Sequence, residues 1–79
     1  MIELVVNPVA GGGRGVEIAR QVAKKLETMG REYVLHTTDH PGHATEIARQ
    51  AAERGSETVV AFGGDGTVHE TAAGLRGTK

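Results

Sequence analysis

The sequence contains no cysteine and no tryptophan, and only one tyrosine and one phenylalanine occur among its 79 residues. The absence of cysteine excludes disulfide bonds, thiolate metal sites and a thiol nucleophile. The scarcity of large aromatic rings argues against the platforms on which single-stranded nucleic-acid binders stack bases. Thiol chemistry and base stacking on Phe, Tyr or Trp are therefore removed from the candidate functions.

The chain also lacks an excess of charge of either sign, since nine Lys and Arg residues oppose ten Asp and Glu residues. The resulting net charge of −1 argues against nucleic acid as a partner and against a polybasic membrane anchor. The longest apolar runs, residues 4–6 and 59–62, are far too short to span a bilayer, and no signal peptide is visible. We therefore expect a soluble, cytoplasmic domain.

Three apolar, β-branched segments alternate with three segments in which apolar residues recur at helical spacing. The predicted strands are residues 2–7, 33–38 and 58–62, of which the third is the most continuously apolar. The predicted helices cover about residues 16–29, 44–52 and 68–75. On the last helix the residues expected to face inward are Val68, Thr71, Ala72 and Leu75.

The order β-α-β-α-β-α predicts a parallel sheet with right-handed crossovers and helices on both faces. The expected fold class is therefore α/β, a three-layer, Rossmann-like arrangement. Three strands are few for such a fold, because a narrow parallel sheet leaves edge strands and helix faces uncovered. We therefore expect residues 1–79 to be the front part of a larger domain, and the open edges are compatible with a homodimer.

Two glycine-rich loops follow predicted strands and lead into predicted helices. The first contains residues 11–13 and 15, and the second is Gly63-Gly64-Asp65-Gly66-Thr67. Ligands of open parallel sheets bind beyond the carboxyl ends of the strands, and a glycine loop before a helix presents bare N–H groups to an anion. Phosphate suits this arrangement best, although neither the P-loop pattern nor the G-x-G-x-x-G pattern of dinucleotide sites fits the sequence.

The second loop has more glycine than a turn requires. A two-residue turn needs one glycine, so a phosphate-binding loop is favoured over a simple turn in which Thr67 caps the helix. Asp65 is then the one charged group of the loop that faces the phosphates. Its carboxylate is placed to hold Mg²⁺ or a water molecule of the Mg²⁺ shell.

These segments resemble the diacylglycerol kinase catalytic domain family. The loop Gly63-Gly64-Asp65-Gly66-Thr67 after an apolar strand is similar to the nucleotide loop of that family. Asn7-Pro8-Val9-Ala10-Gly11 is similar to its opening Asn-Pro-x-x-Gly motif, and Thr38 followed by Gly42-His43-Ala44 matches its pattern after the second strand. The resemblance covers the chain from residue 2 to about residue 75, with its motifs in the same order.

The resemblance implies an ATP-dependent lipid kinase that acts in lipid metabolism and phospholipid biosynthesis with Mg²⁺. Carried over motif by motif, the residues that would bind ATP are Asn7, Pro8, Val9, Ala10, Gly11, Thr38, Gly63, Gly64, Asp65, Gly66, Thr67, Val68, His69 and Glu70. Family members most often have Asn where this chain has His69. The imidazole keeps one hydrogen-bond donor and one acceptor at that position.

The resemblance also implies parts that residues 1–79 do not contain. Family members continue with a glycine-threonine-glycine segment and a β-rich domain that holds the lipid pocket, the catalytic carboxylate and most acidic Mg²⁺ ligands. We therefore expect no catalytic residue in this chain, no activity of the chain alone, and contact with lipid substrate or membrane through the absent domain. Long-chain bases, diacylglycerol and phosphatidylglycerol all remain open as acceptors.

Several alternatives stay open on the sequence. The chain is also compatible with a non-catalytic nucleotide-binding module, or with a relative of NAD kinase, a family without the Asn-Pro-x-x-Gly opening. For His40-Pro41-Gly42-His43 we favour a solvated loop over a metal site, because no third ligand is identified nearby. Arg14, beside the first glycine loop, fits a phosphate contact and a solvated position equally well.

Overall fold

The computed structural model describes residues 1–76, except the side chains at positions 10, 11 and 65. Three parallel strands, β1 (Ile2–Val6), β2 (Tyr33–Thr37) and β3 (Thr58–Phe62), form one sheet in the order β2-β1-β3. They alternate with helices α1 (Arg14–Thr28), α2 (His43–Glu53) and α3 (Asp65–Arg76), and a 3-10 turn (Ala10–Gly13) precedes α1. The predicted α/β fold with a parallel sheet is confirmed. None of these helices is long and apolar enough to cross a membrane.

The core lies on both faces of β1, the central strand, all five residues of which are buried. Leu4 packs with Ala23 of α1 on one face, whereas Val5 packs with Ala44 and Ile47 of α2 on the other. Alternate residues of a strand point to opposite faces, so a strand covered on both sides is apolar at successive positions. The most continuously apolar segment, β3, is nevertheless an edge strand with partly exposed side chains.

Among the side chains that the structure describes, Glu3 is the only charged one that is buried. Its carboxylate accepts hydrogen bonds from Arg54, at 2.6 Å, and from the Ser56 hydroxyl, and it lies 2.7 Å from Nε2 of His36. Burial by itself raises the pKa of Glu3, but these hydrogen bonds and the charge of Arg54 together hold the pKa below its usual value. The carboxylate therefore links β1 to β2 and to the chain between α2 and β3.

The inward face of α3 differs from the predicted one. Thr67, Thr71 and Gly74 are buried, whereas Val68 and Leu75 are 51% and 39% exposed. The prediction that Val68 and Leu75 face inward is therefore wrong. The buried positions still follow helical spacing, but they form a stripe of small and polar residues.

The packing of α3 against α2 explains this preference for small residues. A Cβ atom at Gly74 would lie 2.3 Å from the carbonyl oxygen of Thr45 and 2.9 Å from the Cβ of Ala48. At the same contact, the hydroxyl of Thr45 donates a hydrogen bond of 2.8 Å to the carbonyl oxygen of Glu70. The two backbones approach so closely that large apolar side chains do not fit between them.

Candidate functional site

A cleft of about 390 Å³ opens beyond the carboxyl ends of the strands. Three segments that are distant in sequence form its walls: the loop after β1, the loop after β2 and the start of α3. Its lining residues are Asn7, Pro8, Val9, Thr38, Asp39, His40, Pro41, Ala44, Gly66, Thr67 and Glu70. The volume lies within the range of about 300–1,000 Å³ that is usual for small-molecule sites.

All three motifs of the sequence analysis contribute to this cleft. Asn7 belongs to the first motif, Thr38 directly follows the second strand, and Thr67 belongs to the second glycine loop. These side chains meet because the strands are parallel, so that the loops after β1, β2 and β3 emerge at one edge of the sheet. The structure thus brings residues of three separate motifs into one cleft.

Other predicted site residues lie elsewhere. Gly63 and Gly64 line a second cavity of about 360 Å³, next to Arg14 and Gly15 at the start of α1. Arg14 and the second glycine loop therefore line the same cavity. Val68 and His69 are exposed and line neither of these two cavities. The predictions for Ala10, Gly11 and Asp65 lie outside the described side chains.

The second glycine loop has two kinds of glycine. Gly63 adopts a φ of 155°, and a Cβ there would lie 2.6 Å from Oγ1 of Thr67, so local packing requires glycine. At Gly64 and Gly66 a Cβ would meet no atom within 4 Å. The space beside these two residues is therefore open, and their glycine character leaves room for a ligand next to the backbone.

Thr67 does not cap α3, which is the role it has in the alternative interpretation of the loop as a simple turn. The helix begins at Asp65, so Thr67 lies inside its first turn, and its backbone N–H donates to the carbonyl oxygen of Gly64 at 3.1 Å. The Thr67 side chain is buried against Gly63 instead. The cap is absent because α3 starts three residues before the helix start at residue 68 that the apolar periodicity indicates.

Asn7 shapes the loop after β1. Its Oδ1 accepts a hydrogen bond of 3.1 Å from the backbone N–H of Val9, which forms a tight polar turn at the end of the strand. Its own backbone N–H donates to the carbonyl oxygen of Phe62 at 3.1 Å, which joins the ends of β1 and β3. The residue therefore positions one wall of the cleft as well as lining it.

The loop after β2 holds a cluster that the sequence analysis missed. We expected a solvated loop without a third ligand, but Asp39, His40 and His43 place a carboxylate oxygen and two ring nitrogens within 4.8 Å of one another. Nδ1 of His43 accepts a hydrogen bond of 3.1 Å from the backbone N–H of Asp39, and the Asp39 carboxylate contacts Nδ1 of His40. The hydrogen bond from His40 lowers the pKa of the Asp39 carboxyl. Asp39, directly before the His-Pro-Gly-His run, was the available signal.

Comparison with known proteins agrees with the resemblance seen in the motifs. The chain matches a family described as the diacylglycerol kinase catalytic domain over residues 1–79. It is 38% identical over 72 residues to a diacylglycerol kinase of Bacillus subtilis, covering 91% of this chain and 24% of that protein. It is 35% identical over 75 residues to sphingoid long chain base kinase 5 of Saccharomyces cerevisiae, covering 94% of this chain and 11% of that protein. The chain thus spans 24% or less of the length of these two relatives.

Proposed function

Because the chain belongs to the diacylglycerol kinase catalytic domain family, we propose that it is the ATP-binding part of a lipid kinase. The whole protein would transfer the γ-phosphoryl group of ATP to a lipid hydroxyl group. The observation that carries this proposal is the single cleft in which Asn7, Thr38 and Thr67 meet from three separate motifs. A kinase needs such a site, because phosphoryl transfer depends on the positioning and charge neutralisation of the nucleotide.

The start of α3 has the properties that a polyphosphate requires. Gly64 and Gly66 have open space where a Cβ would stand, so an anion can approach the backbone closely. The first N–H groups of a helix also present the positive end of its dipole to that anion. In this proposal the phosphates of ATP lie against residues 63–67, and the rest of the nucleotide occupies the cleft towards Thr38.

The donor groups near the cleft fit a Mg²⁺ ion that accompanies ATP. Mg²⁺ prefers hard oxygen ligands, and Glu70 places a carboxylate residue in the cleft lining while Asp65 precedes Gly66 at the start of α3. We assign Asp65 to this ion, directly or through a water molecule, as the loop sequence indicates. The ion would neutralise charge on the phosphates during transfer.

The acceptor lipid and the catalytic base belong to another part of the proposed protein. Relatives of this chain are named for diacylglycerol and for sphingoid long chain bases, and the chain spans only a small part of each. We propose that a further segment supplies the base, the lipid pocket and the contact with the membrane surface. The acceptor is then a lipid hydroxyl whose identity that segment decides, and the use of ATP is consistent with a cytoplasmic location.

Substitutions that change the charge of the second glycine loop test the proposal. In the full-length protein, Gly66→Asp places a carboxylate in the open space beside the backbone, so we expect the dissociation constant of ATP to rise at least about tenfold. Asp65→Asn keeps the side-chain shape and removes the charge, so it should lower Mg²⁺-dependent turnover. Both variants should keep the wild-type thermal midpoint within a few degrees, because Gly66→Asp adds its side chain in open space and Asp65→Asn keeps the side-chain shape. Calorimetric titration with ATP and a phosphate-transfer assay measure these effects.

A matched variant controls for the added charge. Gln50→Asp places the same carboxylate at an exposed position of α2 outside both cavities, so ATP affinity and turnover should not change. If Gly66→Asp and Asp65→Asn both behaved like this control, residues 63–67 would be a structural turn and the assignment of the phosphate site would be wrong.

A further inference from the structure

His40 and His43 form the one pair of stacked rings recorded in the described part of the chain. Their ring centroids are 4.4 Å apart and the planes differ by 13°. His40 lines the cleft and has a half-exposed side chain, whereas His43 is largely buried and does not line the cleft. His43 therefore covers one face of the His40 ring, and the other face remains available to a ligand.

The local structure holds both rings in place without a ligand. Gly42 adopts a φ of 85°, which turns the chain so that α2 begins at His43. The hydrogen bond from the Asp39 backbone orients the ring of His43, and the Asp39 carboxylate orients the ring of His40. A surface that is already ordered loses little conformational freedom when a flat ligand binds to it.

This geometry favours contact with a ring face over metal binding. A metal ion bound to an imidazole nitrogen lies in the plane of that ring along the nitrogen lone pair. Two nearly parallel, stacked rings do not share a plane, so His40 and His43 as arranged cannot both ligate one ion. Nδ1 of His43 is also engaged by the N–H of Asp39. The ring face of His40 is the group that remains free for recognition.

We propose that His40 stacks against the base of the bound nucleotide, with His43 supporting the ring from behind; this inference rests on the proposed ATP site. No other aromatic ring lines the described cleft, since Phe62 packs against the core and Tyr33 lies at the opposite end of β2. Every nucleobase offers a flat π face, and stacking on a side-chain ring contributes substantially to the binding of a base. With the phosphates at residues 63–67, His40 lies on the wall formed by the loop after β2.

The experiment separates the base from the phosphates. Dissociation constants of Mg²⁺-ATP and of Mg²⁺ with inorganic tripolyphosphate are measured by calorimetry on the full-length protein and on His40→Ala, His40→Phe and Gln50→Ala. We expect His40→Ala to weaken ATP binding at least about fivefold, as the loss of one stacked base would, and to leave tripolyphosphate within about twofold. His40→Phe should retain ATP affinity within about twofold, because it keeps a flat ring. Gln50→Ala, at an exposed position of the same region, should change neither ligand.

Each other result overturns the inference in an identifiable way. Wild-type ATP affinity in His40→Ala would show that no stacking occurs, whereas a parallel loss of tripolyphosphate binding would assign the imidazole to the phosphates. Failure of His40→Phe to restore the affinity would also exclude stacking. Binding of Zn²⁺ without nucleotide, abolished in both His40 variants, would make the cluster a metal site. If the wild-type protein bound neither ATP nor tripolyphosphate, the proposed function itself would be wrong, and the stacking role would fall with it.

Discussion

Glu3 shows how a single charged residue can occupy the centre of the sheet. The side chain is fully buried in β1, and removal of a carboxylate from water is costly unless partners replace the lost hydration. Ser56, His36 and Arg54 supply these partners. Arg54 and Ser56 both lie in the loop between α2 and β3, so the Glu3 carboxylate also fixes how this loop lies against β1.

We expect Glu3→Gln to lower the free energy of unfolding by about 1–2 kcal/mol at pH 7, because it removes a charge-assisted hydrogen bond to the half-exposed Arg54. The folded-state pKa of Glu3 is depressed, so its contribution is complete above the unfolded pKa and is lost as pH falls through the folded pKa. The difference between wild type and variant should therefore shrink below about pH 4.5. Urea unfolding from pH 3 to pH 7 measures it.

The matched control for this prediction is Glu57→Gln. Glu57 pairs with Arg31 at 2.7 Å, but both side chains are about half exposed. The free energy of unfolding of Glu57→Gln should therefore fall by less than about 1 kcal/mol. A deficit of Glu3→Gln that is as large at pH 3 as at pH 7 would show that the carboxylate charge does not contribute to stability.

At the scale of elements, the contact between α2 and α3 determines where one wall of the cleft stands. Gly74 allows the two helices to approach, and the hydroxyl of Thr45 bonds to the carbonyl oxygen of Glu70 across the contact. Glu70 and Thr67, on the same helix, line the cleft. The close packing of α3 on α2 therefore sets the position of the glycine loop relative to the loop after β2.

We expect Gly74→Ala to destabilise the protein by about 1–3 kcal/mol, because the added methyl group meets the backbone of α2. Alanine favours a helix over glycine by up to about 1 kcal/mol, so the steric cost must exceed that gain. Gly66→Ala is the matched control, since Gly66 is also in α3 but its Cβ would meet open space. It should change stability by no more than about 1 kcal/mol, in the stabilising direction. Thermal and urea unfolding compare the two variants, and equal stability would contradict the tight contact.

At the scale of the whole molecule, residues 1–76 form a small core with open sheet edges. Within this described part, β2 and β3 each pair with β1 alone, so each leaves one edge without a strand partner. Val34 and Leu35 of β2 are 36% and 37% exposed, and Val68 of α3 is more exposed still. A core of this size without disulfides gives limited stability.

We therefore expect the 79-residue chain on its own to have a free energy of unfolding of no more than about 5 kcal/mol. We also expect it to show no lipid kinase turnover. The stability follows from the small buried core, and the lack of turnover follows because no residue of the chain is proposed as a general base. Urea unfolding of a dilute monomer and a Mg²⁺-dependent phosphate-transfer assay check both parts. A cooperative melt above about 65 °C, or measurable turnover, would contradict this prediction.

The element types and the two glycine loops could be read from the sequence because they depend on local properties. The strand at Ile2–Val6 and the helix at Arg14–Thr28 follow from the pattern of apolar residues, and the glycines at 63, 64 and 66 mark the loop between β3 and α3. The family could be recognised on the same residues, since Asn7, Thr38 and the second glycine loop keep their order along the chain. That the three segments form one cleft also follows in outline, because parallel strands carry their loops to one edge.

Tertiary structure alone decided the rest. The third strand is the most continuously apolar in sequence, but pairing on both sides placed β1 at the centre of the sheet. Helical periodicity predicted an inward stripe that includes Val68, Thr71 and Leu75, of which Thr71 is buried. The close approach of α2 placed Gly74 in the contact and left Val68 and Leu75 partly exposed. The stacking of His40 on His43 depends on the turn at Gly42 and on the position of Asp39. For the sheet order and for α3, contacts between distant segments determined the outcome, and local sequence patterns contain no information about the distance between two segments in space. For the histidine pair, the outcome depended on backbone geometry and side-chain orientation within residues 39–43, which residue types alone do not give.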